Sequence, residues 1–223
     1  MGSGIGPIGQ ALDNVVVRID ALNKLSNSGS GNTITSLVKE DSLSASGVTF
    51  LTAQGENMFV FGGSGFVTSG RNTNVSGTAS RTMAVWVRFG RKAIQGCMSI
   101  GANGAGTGMA LETSSTVWTL GYGNSGAATT ITYNANEWYY AVYVSELVSG
   151  STHNLKLYIN GGLAHTAIFA SINLTNTTLK IGFNNSGTGM SGLIARANFY
   201  NKALTAKEIQ KNYQNYRKRF GLT

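Results

Sequence analysis

The chain has 223 residues, of which 42% are hydrophobic and 12% are charged, and its formal net charge at pH 7 is +8. This composition excludes an intrinsically disordered chain and supplies enough apolar residues for one large β-sandwich or two small domains. No apolar run approaches the roughly 20 residues of a membrane-spanning helix, so no membrane association is predicted. Thirty glycines against a single proline, Pro7, indicate many tight turns.

A flexible N-terminal arm is predicted over residues 1–13, followed by one folded domain over residues 14–223. Residues 1–4 are either native or a remnant of cloning. The sizeable apolar side chains of the first ten residues are Ile5, Pro7 and Ile8, too few to order the arm against its conformational entropy. The first twenty residues also lack the basic start, the apolar stretch and the cleavage site of a secretory signal peptide.

Runs with period-two alternation, or rich in β-branched and aromatic residues, recur along the chain and predict strands. Clusters of Gly, Asn, Ser and Thr, which are typical of turns, separate them. The clearest runs are residues 15–19, 58–61, 82–89, 117–120, 129–133, 138–144, 155–159, 179–183 and 193–200. Many closely spaced strands, with no long helical segment between them, predict an all-β antiparallel sandwich of two sheets.

One helix is predicted, at the C-terminal end of the chain. Thr205 and Glu208 have the spacing of a capping box, and Leu204 and Ile209 have that of a hydrophobic staple. Apolar side chains then recur at helical spacing before Gly221, which can close the helix. The residues of this apolar stripe are Ile209, Tyr213, Tyr216 and Phe220. We expect the helix to pack on the sandwich through this stripe.

The C-terminal end is also strongly basic. From position 196 onward the chain carries one acid, Glu208, and these basic residues: Arg196, Lys202, Lys207, Lys211, Arg217, Lys218 and Arg219. Such an end either attracts an acidic protein surface or nucleic acid through long-range electrostatics, or forms the solvated face of a helix. The candidate docking residues for a protein partner are therefore Ile5, Pro7 and Ile8 of the arm and Lys207, Lys211, Arg217, Lys218 and Arg219 of this end.

Four segments carry motifs that occur together in one protein family. They are residues 81–89 with their central tryptophan, residues 137–143 (EWYYAVY), residues 155–162 (LKLYINGG), and residues 179–209 with the closing strands and the helix. In this order they resemble the concanavalin A-like laminin G family in its microbial and phage form. A weaker match to the opening of phage proteins with this fold lies at residues 20–23 and 28–33. The resemblance covers about residues 15–216 and implies a jelly-roll sandwich, in which Trp86, Trp138 and Tyr158 would face inward.

The resemblance extends to glycan hydrolases and calcium-dependent domains, but the acids of this chain fit neither chemistry. Glycoside hydrolysis needs two carboxylates that flank the scissile bond, and calcium needs about 6–8 oxygen ligands, usually including several carboxylates. Asp13, Asp20 and Asp41 all precede residue 42, and the later glutamates are scattered singly. No catalytic residue, metal ligand or cofactor is therefore predicted.

Three further features have structural interpretations. Residues 121–126 match G-x-G-x-x-G, but a strand-like run follows instead of the helix that a dinucleotide site requires, so a hairpin loop is predicted. His153 and His165 have no acid, Ser or Cys partner at a recognisable spacing and are predicted to be polar loop or strand-edge residues. Cys97 is the only cysteine, and we expect it to be a buried, small hydrophobic residue.

Two functions are compatible with these features. The main prediction is a non-enzymatic structural protein of a phage particle, either a capsid decoration protein or a tail component. It would be made in the host cytoplasm and displayed on the virion as a homo-oligomer, for example a trimer, in contact with other virion proteins rather than nucleic acid. The alternative is a carbohydrate-binding adhesin or receptor-binding module. Its candidate sugar-binding residues, on loops, are Tyr122, Asn124, Asn184 and Asn185.

Overall fold

Short antiparallel strands follow one another along nearly the whole chain and a helix ends it. The computed structural model describes residues 14–27, 29–38, 42–53, 56–69, 73–123, 125–169, 171–175 and 177–223. The strands are β1 Val15–Asp20, β2 Thr33–Thr35, β3 Ser42–Ala53, β4 Glu56–Ser69, β5 Arg81–Phe89, β6 Gln95–Gly101, β7 Gly108–Thr113, β8 Val117–Gly121, β9 Gly126–Thr132, β10 Trp138–Ser149, β11 Thr152–Ile159, β12 Gly162–Phe169, β13 Leu179–Ile181 and β14 Ser191–Tyr200. Helix α1 spans Ala206–Tyr216 and continues as a 3₁₀ helix over Arg217–Phe220.

Strand β4 joins two layers of sheet. The strand order is β12-β11-β10-β5-β14-β4-β13-β6-β7-β8-β9. Outside this series, β1 pairs with β14, β3 pairs with β4, and β2 pairs with β3. The first part of β4 pairs with β14 and its last part pairs with β13. Between these parts Gly63 has a φ of 104°, which residues with a Cβ avoid. The first sheet therefore contains β1, β14, β5, β10, β11 and β12, and the second sheet contains β2, β13, β6, β7, β8 and β9. Strand β3, which pairs along the whole of β4, extends with it into both sheets.

Apolar side chains fill the space between the two sheets. Val85, Val87 and Phe89 of β5 belong to this core together with Trp118 and Leu120 of β8. The rings of Phe89 and Trp118 lie edge to face with centroids 5.4 Å apart, so they join the first sheet to the second. The burial of this apolar surface is the dominant favourable contribution to folding. The predicted two-sheet antiparallel sandwich is confirmed.

The outer face of the first sheet is apolar as well, because α1 packs across it. Trp86 and Tyr140 lie on this face with ring centroids 5.0 Å apart. The Trp86 ring also stacks on Phe220 at 4.3 Å and on Tyr213 at 5.9 Å. The predicted capping box is present, with the Thr205 side chain accepting from the backbone N–H of residue 208. The prediction that the helix docks on the sandwich is confirmed.

The predicted inward orientation of three aromatic residues is wrong. Trp86 and Tyr158 are buried on the outer face of the first sheet, and Trp138 is half-buried there against Phe220. The tryptophan that points into the sandwich is Trp118. Because β5 is buried on both faces, its run of apolar residues does not show which of them face the sandwich core.

Phe220→Ala is expected to lower the free energy of unfolding by about 3 kcal/mol, because truncation of a buried aromatic ring leaves a cavity against Trp86. Urea unfolding measures this change. Lys218→Ala alters an exposed side chain of the same 3₁₀ helix and should change the free energy by less than about 0.5 kcal/mol. Equal unfolding midpoints for the two variants would contradict the docked helix.

Candidate functional site

The loop between β13 and β14 folds over the outer face of the second sheet. Gly96 of β6 lies directly beneath it, where a Cβ would be 2.1 Å from the backbone nitrogen of Asn184. The contact therefore requires glycine at this position. Asn185 Nδ2 donates to the carbonyl oxygens of Ile100 and Gly101, both at 3.1 Å. These contacts attach the loop to β6 at both ends of that strand.

Asn184 is buried and orders the loop to which it belongs. Its Oδ1 accepts hydrogen bonds from the backbone N–H of Thr188 at 2.7 Å and from Ser186 Oγ at 3.1 Å. Its Nδ2 donates to Glu112 Oε2 at 2.8 Å. Asn184 thereby fixes the position of a carboxylate on β7 relative to the loop.

Glu112 stands on the outer face of β7, because the residue before it, Leu111, points into the core. The side chain of Glu112 is half-buried. Burial raises the pKa of its carboxyl group, while the hydrogen bond from Asn184 opposes the increase. Among the described residues, Oε1 has no hydrogen-bond partner and no Lys, Arg or His pairs with the carboxylate. Glu112 therefore offers a free, charged acceptor.

Small residues surround this free oxygen. Gly121 of β8 and Gly126 of β9 are cross-strand partners. A Cβ at Gly121 would be 2.7 Å from Glu112 Oε1, and one at Gly126 would be 3.7 Å from it. Thr119 and Ala128, the next pair on the same face of the hairpin, are also small. The surface beside Oε1 is thus clear of large side chains, and a ligand hydroxyl can approach it.

Two half-buried aromatic rings and a lysine form the other flank of this face. The ring centroids of Phe66 and Phe183 are 5.1 Å apart. Lys180 Nζ lies 5.8 Å from the first centroid and 5.4 Å from the second. Lys180 points outward because Leu179 and Ile181, on either side of it, belong to the core. This flank combines apolar ring surface with a cationic donor, as small-ligand sites commonly do.

The structure brings together two of the four predicted sugar-binding residues. Asn184 and Asn185 lie in the same loop, whereas the ring of Tyr122 packs against the core and stacks on Phe169 at 3.7 Å. Asn124 lies outside the described residues. Sugar binding by these residues stays a prediction. From the sequence, Glu112 was interpreted as an isolated acid, although a single glutamate within the apolar strand β7 (GMALET) could have indicated this site.

The basic C-terminal end does not form one continuous charged surface. Arg196 is buried, with Nη1 3.8 Å from Asp20 Oδ2. Arg219 Nη1 lies 3.4 Å from Asp20 Oδ1, and Lys202 pairs with Glu208 at 2.6 Å. Of the predicted docking residues, those that remain exposed are Lys207, Lys211 and Lys218, and Arg217 is half-buried. Ile5, Pro7 and Ile8 lie outside the described residues.

The predicted surface position of His153 is wrong. Its side chain is fully buried, with Nδ1 2.8 Å from Ser145 Oγ. Burial and the nearby Arg81 lower the pKa of His153 to about 4, so the imidazole is neutral at pH 7. Cys97 is buried as expected, and burial raises the pKa of its thiol. Because these groups are sealed from solvent, they have no access to a substrate.

Within the described part of the chain, no group of three His, Cys, Asp or Glu residues is placed to hold a metal ion. Among the same residues, no helix has the length and apolar character needed to cross a membrane.

The chain belongs to the concanavalin A-like lectin/glucanases superfamily, whose family model matches residues 61–210. This confirms the predicted membership of the superfamily, whereas the resemblance to its phage form stays a prediction. Comparison with curated protein sequences returns no match.

Solved structures share the fold at low sequence identity. Domain 4 of AbnA, an extracellular arabinanase from Geobacillus stearothermophilus in complex with arabinotriose, matches with a TM-score of 0.67 and 15% identity over 90% of this chain and 98% of that chain. A structure of botulinum neurotoxin type C, whose cell entry depends on interaction with two ganglioside molecules, matches with a TM-score of 0.64 and 17% identity over 91% of this chain. The binding domain of botulinum neurotoxin DC in complex with rat synaptotagmin II matches with a TM-score of 0.64 and 16% identity over 91% of this chain. The chain spans about half of each toxin structure, 51% and 52%.

Glu112→Gln is expected to raise the free energy of unfolding at pH 7, because it removes a half-buried charge and keeps an oxygen for Asn184. The folded-state pKa of Glu112 is raised, so the folded protein binds the proton more tightly than the unfolded chain does. Protonation of Glu112 stabilises the folded protein fully below the pKa that this group has in the unfolded chain, about 4.3. This stabilisation is lost as the pH rises through the pKa of Glu112 in the folded protein. The gain from the substitution should therefore be largest near neutral pH and vanish in acid.

Urea unfolding at pH 7 and at a pH below the unfolded pKa measures this dependence. Glu146→Gln is the matched control, because Glu146 forms an ion pair with Lys156 and its replacement should bring no gain. A loss of stability in Glu112→Gln at pH 7 would refute the interpretation of Glu112 as a destabilising carboxylate.

Proposed function

We propose that the protein is a non-enzymatic glycan-binding module, an adhesin or receptor-binding domain, whose site is the outer face of the second sheet around Glu112 and Asn184. One observation carries the proposal: Glu112 is half-buried and lacks a cationic partner among the described residues, yet it keeps Oε1 free on a surface of small residues. Burial of such a charge disfavours the folded state. A ligand that donates hydroxyl hydrogens to the carboxylate offsets this cost.

The aromatic flank supports the same ligand class. A sugar presents hydroxyl groups at its edge and C–H groups on the faces of its ring. Glu112, held in place by Asn184, provides the acceptor for the hydroxyls, and the rings of Phe66 and Phe183 provide apolar surface for the C–H faces. Two solved structures with this fold also concern glycans: one is in complex with arabinotriose, and the other is of a toxin whose cell entry depends on gangliosides.

The placement of the other acids favours binding over hydrolysis. A hydrolytic site needs a second carboxylate on the opposite side of the scissile bond. Asp20 is paired with two arginines under α1, and Glu146 and Glu208 are paired with lysines. None of the other acids that the structure describes lies on β6, β7, β8 or β9. Among the described residues, Glu112 therefore has no acidic partner for general acid–base chemistry on these four strands.

Glu112→Gln is expected to weaken glycan binding at least about tenfold, because a hydrogen bond to a charged group contributes roughly 1.5–3 kcal/mol. A glycan array that includes arabinotriose identifies a ligand, and isothermal titration calorimetry compares the variants on it. Binding to the wild type should also weaken as the pH falls through the raised pKa of Glu112, because protonation removes the charged acceptor.

Glu146→Gln, on the first sheet, is the control and should bind like the wild type. The proposal fails if the array shows no ligand, or if Glu112→Gln binds with unchanged affinity.

A structural role in a phage particle, the main prediction from the sequence, remains a second candidate. Exposed Lys207, Lys211 and Lys218 on the C-terminal helices favour contact with an acidic partner surface. We expect the protein to copurify with phage particles as a homo-oligomer and to dissociate as ionic strength rises. A monomer that never associates with particles would exclude this role and leave the glycan-binding proposal intact.

A further inference from the structure

A groove lies on the outer face of the first sheet, next to the surface that the C-terminal helices cover. Its volume is about 330 Å³, which falls at the lower end of the range for small-ligand pockets, roughly 300–1,000 Å³. Strands β4, β5 and β14 and two adjoining loops form its walls. The residues that define its chemistry are Val60, Arg88, Asn136, Ser191 and Leu193. We refer to it as the Arg88 groove.

A row of cross-strand partners runs through the Arg88 groove and ends at Trp138, which adjoins Arg88 outside the groove lining. Trp138 of β10 pairs with Arg88 of β5, Arg88 pairs with Leu193 of β14, and Leu193 pairs with Val60 of β4. Partners across a sheet share one face, so these four side chains stand side by side. Beside the row, a Cβ at Gly192 would be 2.2 Å from the carbonyl oxygen of Arg88, so the position requires glycine. The row presents an apolar surface that contains one guanidinium group.

The guanidinium of Arg88 is oriented but not neutralised. Its Nε donates to the carbonyl oxygen of Asn136 at 3.0 Å, which fixes the plane of the group. No acid in the described ranges forms an ion pair with it. The two terminal nitrogens are therefore available, and their spacing matches the two oxygens of a carboxylate.

The surroundings of the groove are positively charged. Arg91 and Lys92 follow on the exposed loop after β5. Glu137, next to Asn136 in the chain, is already engaged: its Oε1 accepts from Asn134 Nδ2 at 3.2 Å and its Oε2 from the Tyr139 hydroxyl at 2.9 Å. Arg88, Arg91 and Lys92 outnumber this one carboxylate, so the local charge favours an anionic ligand.

We propose that the Arg88 groove is a second binding site, separate from the Glu112 surface, and that it binds a carboxylate-bearing sugar of the hexuronic acid class. Arg88 would hold the carboxylate through two parallel hydrogen bonds, and the C–H face of the sugar ring would lie on Leu193 and the half-buried ring of Trp138. Asn136 and Ser191 at the rim are suited to the hydroxyl groups.

Strand pairing favours a sugar over an extended peptide. A peptide that adds to a sheet needs an unpaired strand edge. Here β5 is paired on both sides by β10 and β14, and the part of β14 in the groove is paired by β5 and β4. No backbone edge is free at the groove, so recognition there depends on side chains.

The test uses the full chain and two probes, trigalacturonic acid and the same trisaccharide with its carboxyl groups reduced to alcohols. We expect the acidic probe to bind the wild type and Glu112→Gln alike. Arg88→Met should bind it at least about tenfold more weakly, because hydrogen bonds to a charged group are lost. Arg88→Lys keeps the charge without the planar fork and should give an intermediate loss. The reduced probe should not bind in the groove, and the acidic probe should shift the Trp138 indole N–H resonance.

Three results would overturn the proposal: no binding of the acidic probe, full binding by both Arg88 variants at unchanged melting temperature, or equal binding of the two probes to Glu112→Gln, in which the other site is disabled. Direct binding of a peptide with a free C-terminal carboxylate, without any binding of the uronate, would also replace the sugar by a protein ligand. A loss of neutral-glycan binding in Glu112→Gln alone concerns the other site and leaves this proposal unaffected.

Discussion

The packing of the C-terminal helix on Trp86 is the contact on which the placement of both candidate sites depends. Trp86 and Tyr140 project away from the sandwich core, and without Tyr213 and Phe220 over them a large aromatic surface would face solvent. The helix therefore has one energetically favourable position, across the middle of the first sheet. It follows that the helices leave the outer face of the second sheet uncovered, and that the first sheet is open beyond the helical cover, for example next to Trp138.

Charged groups beneath the helix make this position specific. Asp20 of β1 accepts from Arg219 of the 3₁₀ helix and lies 3.8 Å from Arg196 of β14. The guanidinium of Arg196 in turn stacks on the ring of Tyr216 at 4.1 Å. Burial of ions is costly unless each has a partner in good geometry, so a helix displaced along the sheet would leave buried charges unpaired. Burial of the aromatic rings holds the helix on the first sheet, and the ionic contacts fix its position along that sheet.

The sequence predicted the architecture better than the orientation of its side chains. Strands rich in β-branched and aromatic residues, such as β10 and β14, were evident, because alternation and residue type agree there. Strands β6 (QGCMSIG) and β7 (GMALET) were not among the predicted runs, since their small residues and glycines resemble loops. Trp86 was assigned to the wrong face because a helix distant in sequence covers that face, and local periodicity carries no information about such a partner.

The candidate site was the least predictable part for a related reason. Loop residues such as Tyr122 and Asn184 attracted attention because their types suit sugars, yet Tyr122 packs on Phe169, and Asn184 bonds to its own loop and to Glu112. Whether a polar group is free depends on its three-dimensional neighbours. Spacing in the sequence does not show that the loop after β13 crosses β6 and places an amide beside β7.

Glu112 and Arg88 stand out once the partners of the charged groups are compared. Asp20, Glu146 and Glu208 each face a cation, as most half-buried charges must to avoid an uncompensated desolvation cost. Glu112 and Arg88 have no such partner among the described residues, and each lies beside a glycine: a Cβ at Gly121 would be 2.7 Å from Glu112 Oε1, and one at Gly192 would be 2.2 Å from the carbonyl oxygen of Arg88. They occupy outer faces of different sheets, so one small ligand cannot contact both. The two proposed sites, on outer faces of different sheets of one domain, would suit a branched or surface-bound glycan, because engagement of the first site raises the effective concentration at the second. Their opposite charges would also allow each to select a different sugar unit, a neutral one at Glu112 and an acidic one at Arg88.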